Sequence, residues 1–275
     1  MKKFKMYVSL VVVAMLVPFG SNFLFAASKS ITITGSTTVL PIAQRAAEAF
    51  MDINEDISVS VRGGGSGVGI AALIDGRADI ADASRPIKTK EVKLAREKGI
   101  DPYANVVARD GIAVVVHPDN PVDSISIEDL KKIYTAEIEN WKDLGGPNKA
   151  IVVISRDYSS GTFEVFKELV LEGAKVTDGA LMLASNKAVS TTVATTPNSI
   201  GYIGLGYLSK DVKALKVNGV EASEESVKKG EYKLARPLFM YTNGEPEGII
   251  KSFIDFIFSS QGQEIAREMG YVPVK

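Results

Sequence analysis

The 275-residue chain contains no cysteine, so disulfides, thiolate catalysis, Cys-ligated zinc and iron–sulfur clusters are all excluded. It has a single histidine, His117, which excludes a His-rich metal site within one chain. It also lacks a charge excess, with 32 Lys+Arg against 33 Asp+Glu, and so lacks the basic surface of a dedicated nucleic-acid binder. Apolar residues make up 45% and charged residues 24%, the proportions of a globular protein rather than a disordered or polytopic membrane chain. The one long apolar run lies at the start. Lys2, Lys3 and Lys5 precede an apolar stretch from Met6 to Val17, then Pro18, Gly20 and a small-residue exit at Ala26-Ala27. That is the three-part pattern of a cleaved signal peptide over residues 1–27, and the apolar stretch is short of the ~20 residues that span a bilayer. No cysteine follows it to carry a lipid anchor. Loss of three lysines takes the formal charge from −1 to −4.

The remainder alternates β and α periodicity. Ser30 to Thr34 and Ile57 to Val61 alternate as strands, and Leu40 to Asp52 repeats its apolar positions at helical spacing, with Pro41 in the first turn. Ile70 to Ile74 falls on a helix, Ile80 to Ala83 on a strand and Thr89 to Lys98 on a helix. Val106 to Val116 reads as a long strand broken at Asp110-Gly111. Ile151 to Ile154 leads into a helix from Thr162 to Leu171. A helix from Lys187 and a strand from Ile200 to Ile203 follow. Asn218-Gly219 marks a hairpin turn. Two helices, Pro246 to Phe258 and Ser260 to Met269, end the chain. Repeated βα units predict an α/β fold with a parallel or mixed sheet. Two lobes are expected, with the chain crossing between them at Asp110 to Ala113 and at Arg236 to Met240. The boundaries read as 28–111 plus 237–275 for one lobe and 112–236 for the other.

Three strand-to-helix turns carry the chemistry: Gly35-Ser36-Thr37-Thr38, Gly63-Gly64-Gly65-Ser66-Gly67, and Ser155 to Thr162. Each sets small residues and hydroxyls where the first N–H groups of a helix lack intrahelical partners and the helix dipole is positive. This is the composition of an oxyanion site, and Arg156 adds a planar fork suited to phosphate or carboxylate oxygens. The same residues also serve as ordinary caps and turns. Open α/β sheets bind ligands beyond the carboxyl ends of their strands, where all three turns fall. The glycines at 63–69 fit neither a dinucleotide loop, which needs glycine where Val68 stands, nor a phosphate loop, because Ile70 follows Gly69. Ser66 and Ser160 lack the flanking glycines of a nucleophile elbow. His117, before Pro118, reads as a loop residue.

Several strings occur together and in order: G-S-T-T-V-L-P from Gly35, G-G-G-S-G-V-G from Gly63, A-D-I-A-D-A-S-R from Ala78, D-G-I-A-V-V-V-H-P-D-N-P from Asp110, Y-x-x-x-I-x-N-W from Tyr134, and S-R-D-Y-S-S-G-T from Ser155. The set resembles the phosphate-binding proteins of bacterial ABC-type phosphate uptake over nearly the whole mature chain. The resemblance implies a two-lobed type II periplasmic-binding-protein fold with a ligand cleft between the lobes and two hinge crossings near Gly111 and Pro237. It implies a periplasmic monomer that captures inorganic phosphate and delivers it to a membrane permease of an ABC transporter, with no catalytic residue, metal or cofactor. Carried onto this chain, the family's anion site falls on Ser36, Thr37, Thr38, Ser66, Arg156, Ser160, Gly161 and Thr162, with Asp157 orienting Arg156. Several family members place after the strand Ile80 to Ala83 an Asp that accepts the proton of bound phosphate. Here Ser84 stands there, followed by Arg85, which is expected to add a second charged ligand; Asp82 is the weaker candidate acceptor. A hydroxyl rejects sulfate less firmly than a carboxylate. Another oxyanion such as sulfate is therefore the alternative cargo, beside a sensor or adhesion role and, further off, a phosphatase-like enzyme.

Overall fold

The computed structural model describes residues 29–275; the signal segment expected at 1–27 lies outside the described residues. The elements in chain order are β1 (Lys29–Gly35), α1 (Leu40–Ile53), β2 (Ile57–Gly63), α2 (Ser66–Ile74), β3 (Ile80–Ala83), α3 (Thr89–Glu97), β4 (Pro102–Val116), β5 (Ser124–Ile125) and α4 (Ile127–Tyr134). They continue with β6 (Val152–Arg156), α5 (Gly161–Leu169), β7 (Leu181–Leu183), α6 (Asn186–Thr195), β8 (Ser199–Gly204), β9 (Lys213–Ala214), β10 (Lys216–Val217), α7 (Glu224–Lys228), β11 (Ala235–Asn243), α8 (Gly248–Phe258) and α9 (Ser260–Glu268). No helix among the described residues is long and apolar enough to cross a membrane.

One mixed sheet runs through the molecule in the order β2-β1-β3-β11-β4-β8-β6-β7. β1, β2 and β3 pair in parallel, each followed by a helix, and so do β6, β7 and β8. The long strand β4 joins the two halves. Its first part pairs antiparallel with β11 through Gly111, and its last part pairs antiparallel with β8 from Ile112 to Val116. The expected break at Asp110-Gly111 is therefore a change of partner inside a continuous strand. The two crossings lie side by side, with Arg236 opposite Asp110 and Pro237 opposite Arg109.

The apolar side chains separate at the same level. One core includes Ile31, Ile33, Phe50, Ile80 and Phe253, reaches Ala108 on β4 and takes up Leu238 and Met240 on β11. The other begins at Ile112 on β4 and gathers Trp141, Ile154, Phe166, Tyr202 and Leu234. α1 illustrates why the sequence folds locally as it does. Its buried residues Ile42, Ala43, Ala46, Ala47, Ala49 and Phe50 fall at helical spacing, and Pro41 occupies its first turn. Asn218 and Gly219 both have positive φ, at 50° and 80°, and Val217 bridges Val220 antiparallel across them. The expected turn is there, although β10 itself pairs in parallel with β5.

In the second core Phe166 is fully buried, stacked on Tyr202 at 3.9 Å and meeting Tyr134 edge-on at 4.8 Å between ring centroids. Truncation opens a cavity that two tyrosines cannot fill. Phe166→Ala is expected to lower unfolding stability by about 3–5 kcal/mol in a urea titration, with native far-UV circular dichroism. A loss below about 1 kcal/mol contradicts this packing.

Candidate functional site

β1, β2, β3 and β6 end at one level, and the N-termini of α1, α2 and α5 meet there. Thr38 Oγ1 before α1 lies 3.1 Å from Thr162 Oγ1 in the first turn of α5. Ser66 Oγ at the start of α2 accepts from Ser84 N–H at 3.0 Å and lies 3.4 Å from Ser84 Oγ. Gly161 packs against both: a Cβ built on it would stand 2.2 Å from Ser66 Oγ and 2.7 Å from Ser84 Oγ. Glycine at 161 thus lets the two hydroxyls come up to the α5 backbone. Ser36, Thr37, Thr38, Ser66, Ser84, Arg156, Ser160 and Thr162 are all buried. The structure therefore gathers these sequence-predicted residues with Gly161 into one enclosed polar cluster.

Two of the hydroxyls act as caps. Ser36 Oγ accepts from the N–H groups of Thr38 and Val39, at 3.1 and 3.4 Å, and Ser160 Oγ accepts from Phe163 N–H at 3.2 Å. Each orders the helix start that presents its neighbours. The N–H groups of Gly161 and Thr162 have no protein acceptor among the described residues.

Arg156 closes the cluster from β6. Its Nε donates to Leu183 O at 3.1 Å and its Nη2 to Ala184 O at 3.0 Å, while Nη1 is buried with no protein partner. Desolvation draws this guanidinium down to about 10, so it is charged at neutral pH. Asp157, expected to orient it, does not bond to it. Its Oδ1 accepts from Ser159 N–H and Ser159 Oγ at 2.9 and 2.6 Å, holding the turn instead. Two backbone carbonyls position the arginine, which residue types alone cannot reveal.

Arg85, expected to face the anion, is held from one side by α3. Its Nη1 and Nη2 donate to Glu91 at 2.8 Å each, and Nη1 also to Pro86 O at 2.9 Å, which commits the guanidinium to α3 and leaves only Nε unpaired. Glu91 receives Lys88 N–H at 2.8 Å as well, so a helix-capping carboxylate captures the cation expected to face an anion.

Four residues that the sequence did not assign to the cluster join it. Asp110 and Arg236, opposite each other at the two crossings, form a fully buried pair, with Nη2 and Nε of Arg236 at 2.8 and 3.1 Å from Asp110 Oδ2. Arg236 also donates to Ser84 O and to Thr38 Oγ1, both at 3.3 Å. Burial pushes the Asp110 carboxyl up, and Arg236 pulls it back down in part. Asn186, fully buried at the start of α6, donates from Nδ2 to Thr37 Oγ1 at 3.2 Å and to Thr38 Oγ1 at 3.0 Å. Tyr207 OH donates to Thr37 O. A polar residue at a strand crossing or helix start was the available signal, but such positions are usually occupied for turn or capping reasons.

Asp82 is fully buried, and neither carboxyl oxygen has a protein partner. Burial holds its carboxyl well above the usual range, which favours the protonated form in the folded chain. The unfolded chain releases that proton near pH 4, about the ordinary Asp value. The stabilisation tied to the neutral carboxyl is therefore complete below that pH and is lost as pH rises toward the folded value. Asp82→Asn is expected to flatten the fall of unfolding free energy above about pH 4. An unchanged slope contradicts a neutral Asp82. Asp110→Asn, by contrast, leaves Arg236 buried without its counter-ion. It is expected to cost about 3–5 kcal/mol, with most of the loss recovered in Asp110→Leu/Arg236→Met. Equal losses in the single and double variants contradict the pairing.

Residues 26–261 match the family model described as a PBP superfamily domain. Among curated proteins, the phosphate-binding protein PstS of Bacillus subtilis is 39% identical over 253 residues, covering 90% of this chain and 82% of that protein. PstS of Borreliella burgdorferi is 34% identical, covering 90% and 91%. Among solved structures, a Clostridium perfringens chain determined with bound phosphate superposes with a TM-score of 0.83 at 37% identity, over 90% of this chain and 100% of that one. An ABC-type phosphate transport receptor from Vibrio cholerae gives 0.73 at 33%, over 88% and 99%.

Proposed function

This chain belongs to the PstS family of phosphate-binding proteins within the PBP superfamily, and from that premise we propose that it captures inorganic phosphate between two lobes and hands it to an ABC-type permease. The observation that carries the reading is the buried Arg156 Nη1, unpartnered in the protein, at the end of the strand whose following turn brings α5 to the starts of α1 and α2.

The cluster suits a small, fully desolvated oxyanion. Arg156 supplies one uncompensated positive charge, because Asp110 neutralises Arg236 within the same cluster. Thr37, Thr38, Ser66, Ser84 and Thr162 supply hydroxyls, and the first turn of α5 supplies N–H groups. Helix N-termini add positive potential without further charged side chains. Capture requires no covalent chemistry. The lobes are 28–111 plus 237–275 and 112–236, and opening by rotation about the adjacent crossings at Gly111 and Pro237 admits the anion. Closure expels water and strengthens each bond to the anion. Residues 1–27 direct the chain out of the cytoplasm, so capture is extracytoplasmic, by a monomer that docks transiently on the permease.

The test is calorimetric titration of refolded, ligand-free protein with phosphate and, separately, sulfate. Phosphate is expected to bind with micromolar or better affinity, beyond about −8 kcal/mol, without sulfate heat. Arg156→Met is expected to lose roughly a hundredfold or more, as fits removal of a charge-assisted bond together with the site's net charge. Equal binding of both anions keeps the oxyanion receptor and overturns the phosphate assignment; no heat from either overturns capture.

A further inference from the structure

The hydroxyls of Thr37 and Thr38 each could give or take a hydrogen bond, and an anion needs them to give. Their direction is settled by Asn186, whose own orientation is fixed from behind. Gly204 N–H lies 3.3 Å from one terminal atom of the Asn186 amide, and an N–H can only donate, so that atom is the carbonyl Oδ1. The NH2 group therefore faces Thr37 Oγ1 and Thr38 Oγ1.

The consequences follow from counting lone pairs. Thr38 Oγ1 receives Asn186 Nδ2 at 3.0 Å and Arg236 Nη2 at 3.3 Å. Two donors fill the two acceptor sites of a hydroxyl, so Thr38 must donate its own proton. In the 3.1 Å contact with Thr162 Oγ1 the donor is then Thr38, and the Thr162 proton is turned onward. Thr37 Oγ1 receives Asn186 Nδ2 at 3.2 Å and Asn186 N–H at 3.4 Å, and its proton is likewise turned away from Asn186. The Asp110 carboxylate holds the Arg236 guanidinium that supplies the second donor.

We propose that Asn186 is a positioning residue that sets the polarity of the binding site. Through its amide, with Arg236 as co-donor, it forces Thr38 to donate to Thr162, so that Thr37 and Thr162 present their protons to the bound oxyanion. This rests on the oxyanion reading above. Asn186 and Gly204 belong to the half of the sheet built on β6 and β8, whereas Thr37 and Thr38 follow β1. The donor set is therefore completed only when the two halves meet, and ordering of the hydroxyl protons is coupled to closure. Successive donors in such a chain also polarise one another.

The experiment is a double-mutant cycle between Asn186→Asp and Thr38→Val, read by calorimetry with whichever of phosphate or sulfate the unmodified protein binds. A carboxylate at 186 accepts where the amide donated, so the Thr38 proton turns toward it, Thr162 loses its donor, and the Thr162 proton is no longer directed to the anion. Asn186→Asp is expected to weaken binding roughly a hundredfold at pH 8, and Asn186→Ala, which removes the donor without reversing it, roughly tenfold. Thr38→Val added to Asn186→Asp is expected to cost little more, whereas in the unmodified background it costs roughly tenfold. Binding by Asn186→Asp is expected to recover as pH falls and the carboxyl is protonated. Additive losses at Asn186 and Thr38 overturn the inference and leave capture intact, because they indicate direct repulsion of the anion. Equal losses in Asn186→Asp and Asn186→Ala with matching falls in thermal stability also overturn it, as a purely structural effect. Failure of the unmodified protein to bind either anion instead overturns the proposed function on which the inference depends.

Discussion

A guanidinium buried with one N–H group free is an expensive feature, and the architecture around Arg156 is organised by it. Leu183 O at the end of β7 and Ala184 O just beyond it take two of its N–H directions. That fixes where β7 and the start of α6 must lie relative to β6. Three helices then aim their N-termini toward the same place, which adds positive potential rather than relieving it. No acidic side chain in the cluster neutralises Arg156, because Asp110 is engaged with Arg236 and Asp157 with its own turn. An enclosure with one uncompensated positive charge and many donors is self-consistent only toward an anion.

Closure is held by contacts that are individually weak. Ser159 O accepts from Gly67 N–H at 2.9 Å, and Ser159 Oγ, whose proton goes to Asp157, lies 3.1 Å from Gly64 O, so a turn of one lobe docks on the start of α2 in the other. Lys88 and Glu164 form a 2.7 Å ion pair across the same junction, partly exposed and therefore worth little. Neutral hydrogen bonds contribute about 1 kcal/mol each net of water. A handful of them balances against the hinge without overwhelming it, which is the condition for a ligand to shift the population strongly. The asymmetry with the interior is instructive. Phe166 on Tyr202 and Phe50 against Phe253 pack within each lobe, while Ser159 with Gly67 and Lys88 with Glu164 make polar contacts across the cleft.

Much of this was legible in the residues. Alternating apolar positions announced β1, β2 and β3, and the apolar stripe of Ile42, Ala43, Ala46, Ala47 and Phe50 announced α1. The glycine and hydroxyl turns named most of the cluster, because helix N-termini leave a local signature. What escaped depended on distance along the chain. Arg236 and Asp110 are 126 positions apart, and only the antiparallel register of β11 on β4 sets them opposite each other. Asn186 lies 148 positions from Thr38. The pairing of Arg85 with Glu91 escaped for the converse reason. The two are only six positions apart, but the pairing arises from the capping geometry of α3, not from residue type.

The overall charge of the chain has little bearing on any of this. Exposed charges separated by more than about 8–10 Å are largely screened at physiological salt, so a slightly acidic exterior scarcely reaches an enclosed site. Inside the cluster, water is excluded and the effective dielectric falls, so one guanidinium and a few oriented dipoles outweigh many distant carboxylates. The same low dielectric makes the direction of each hydroxyl proton consequential. A donor turned the wrong way there is not merely a lost bond but a lone pair facing a negative oxygen. Asp110 behind Arg236 and Gly204 behind Asn186 therefore bear on the cluster through the orientation of the groups they hold.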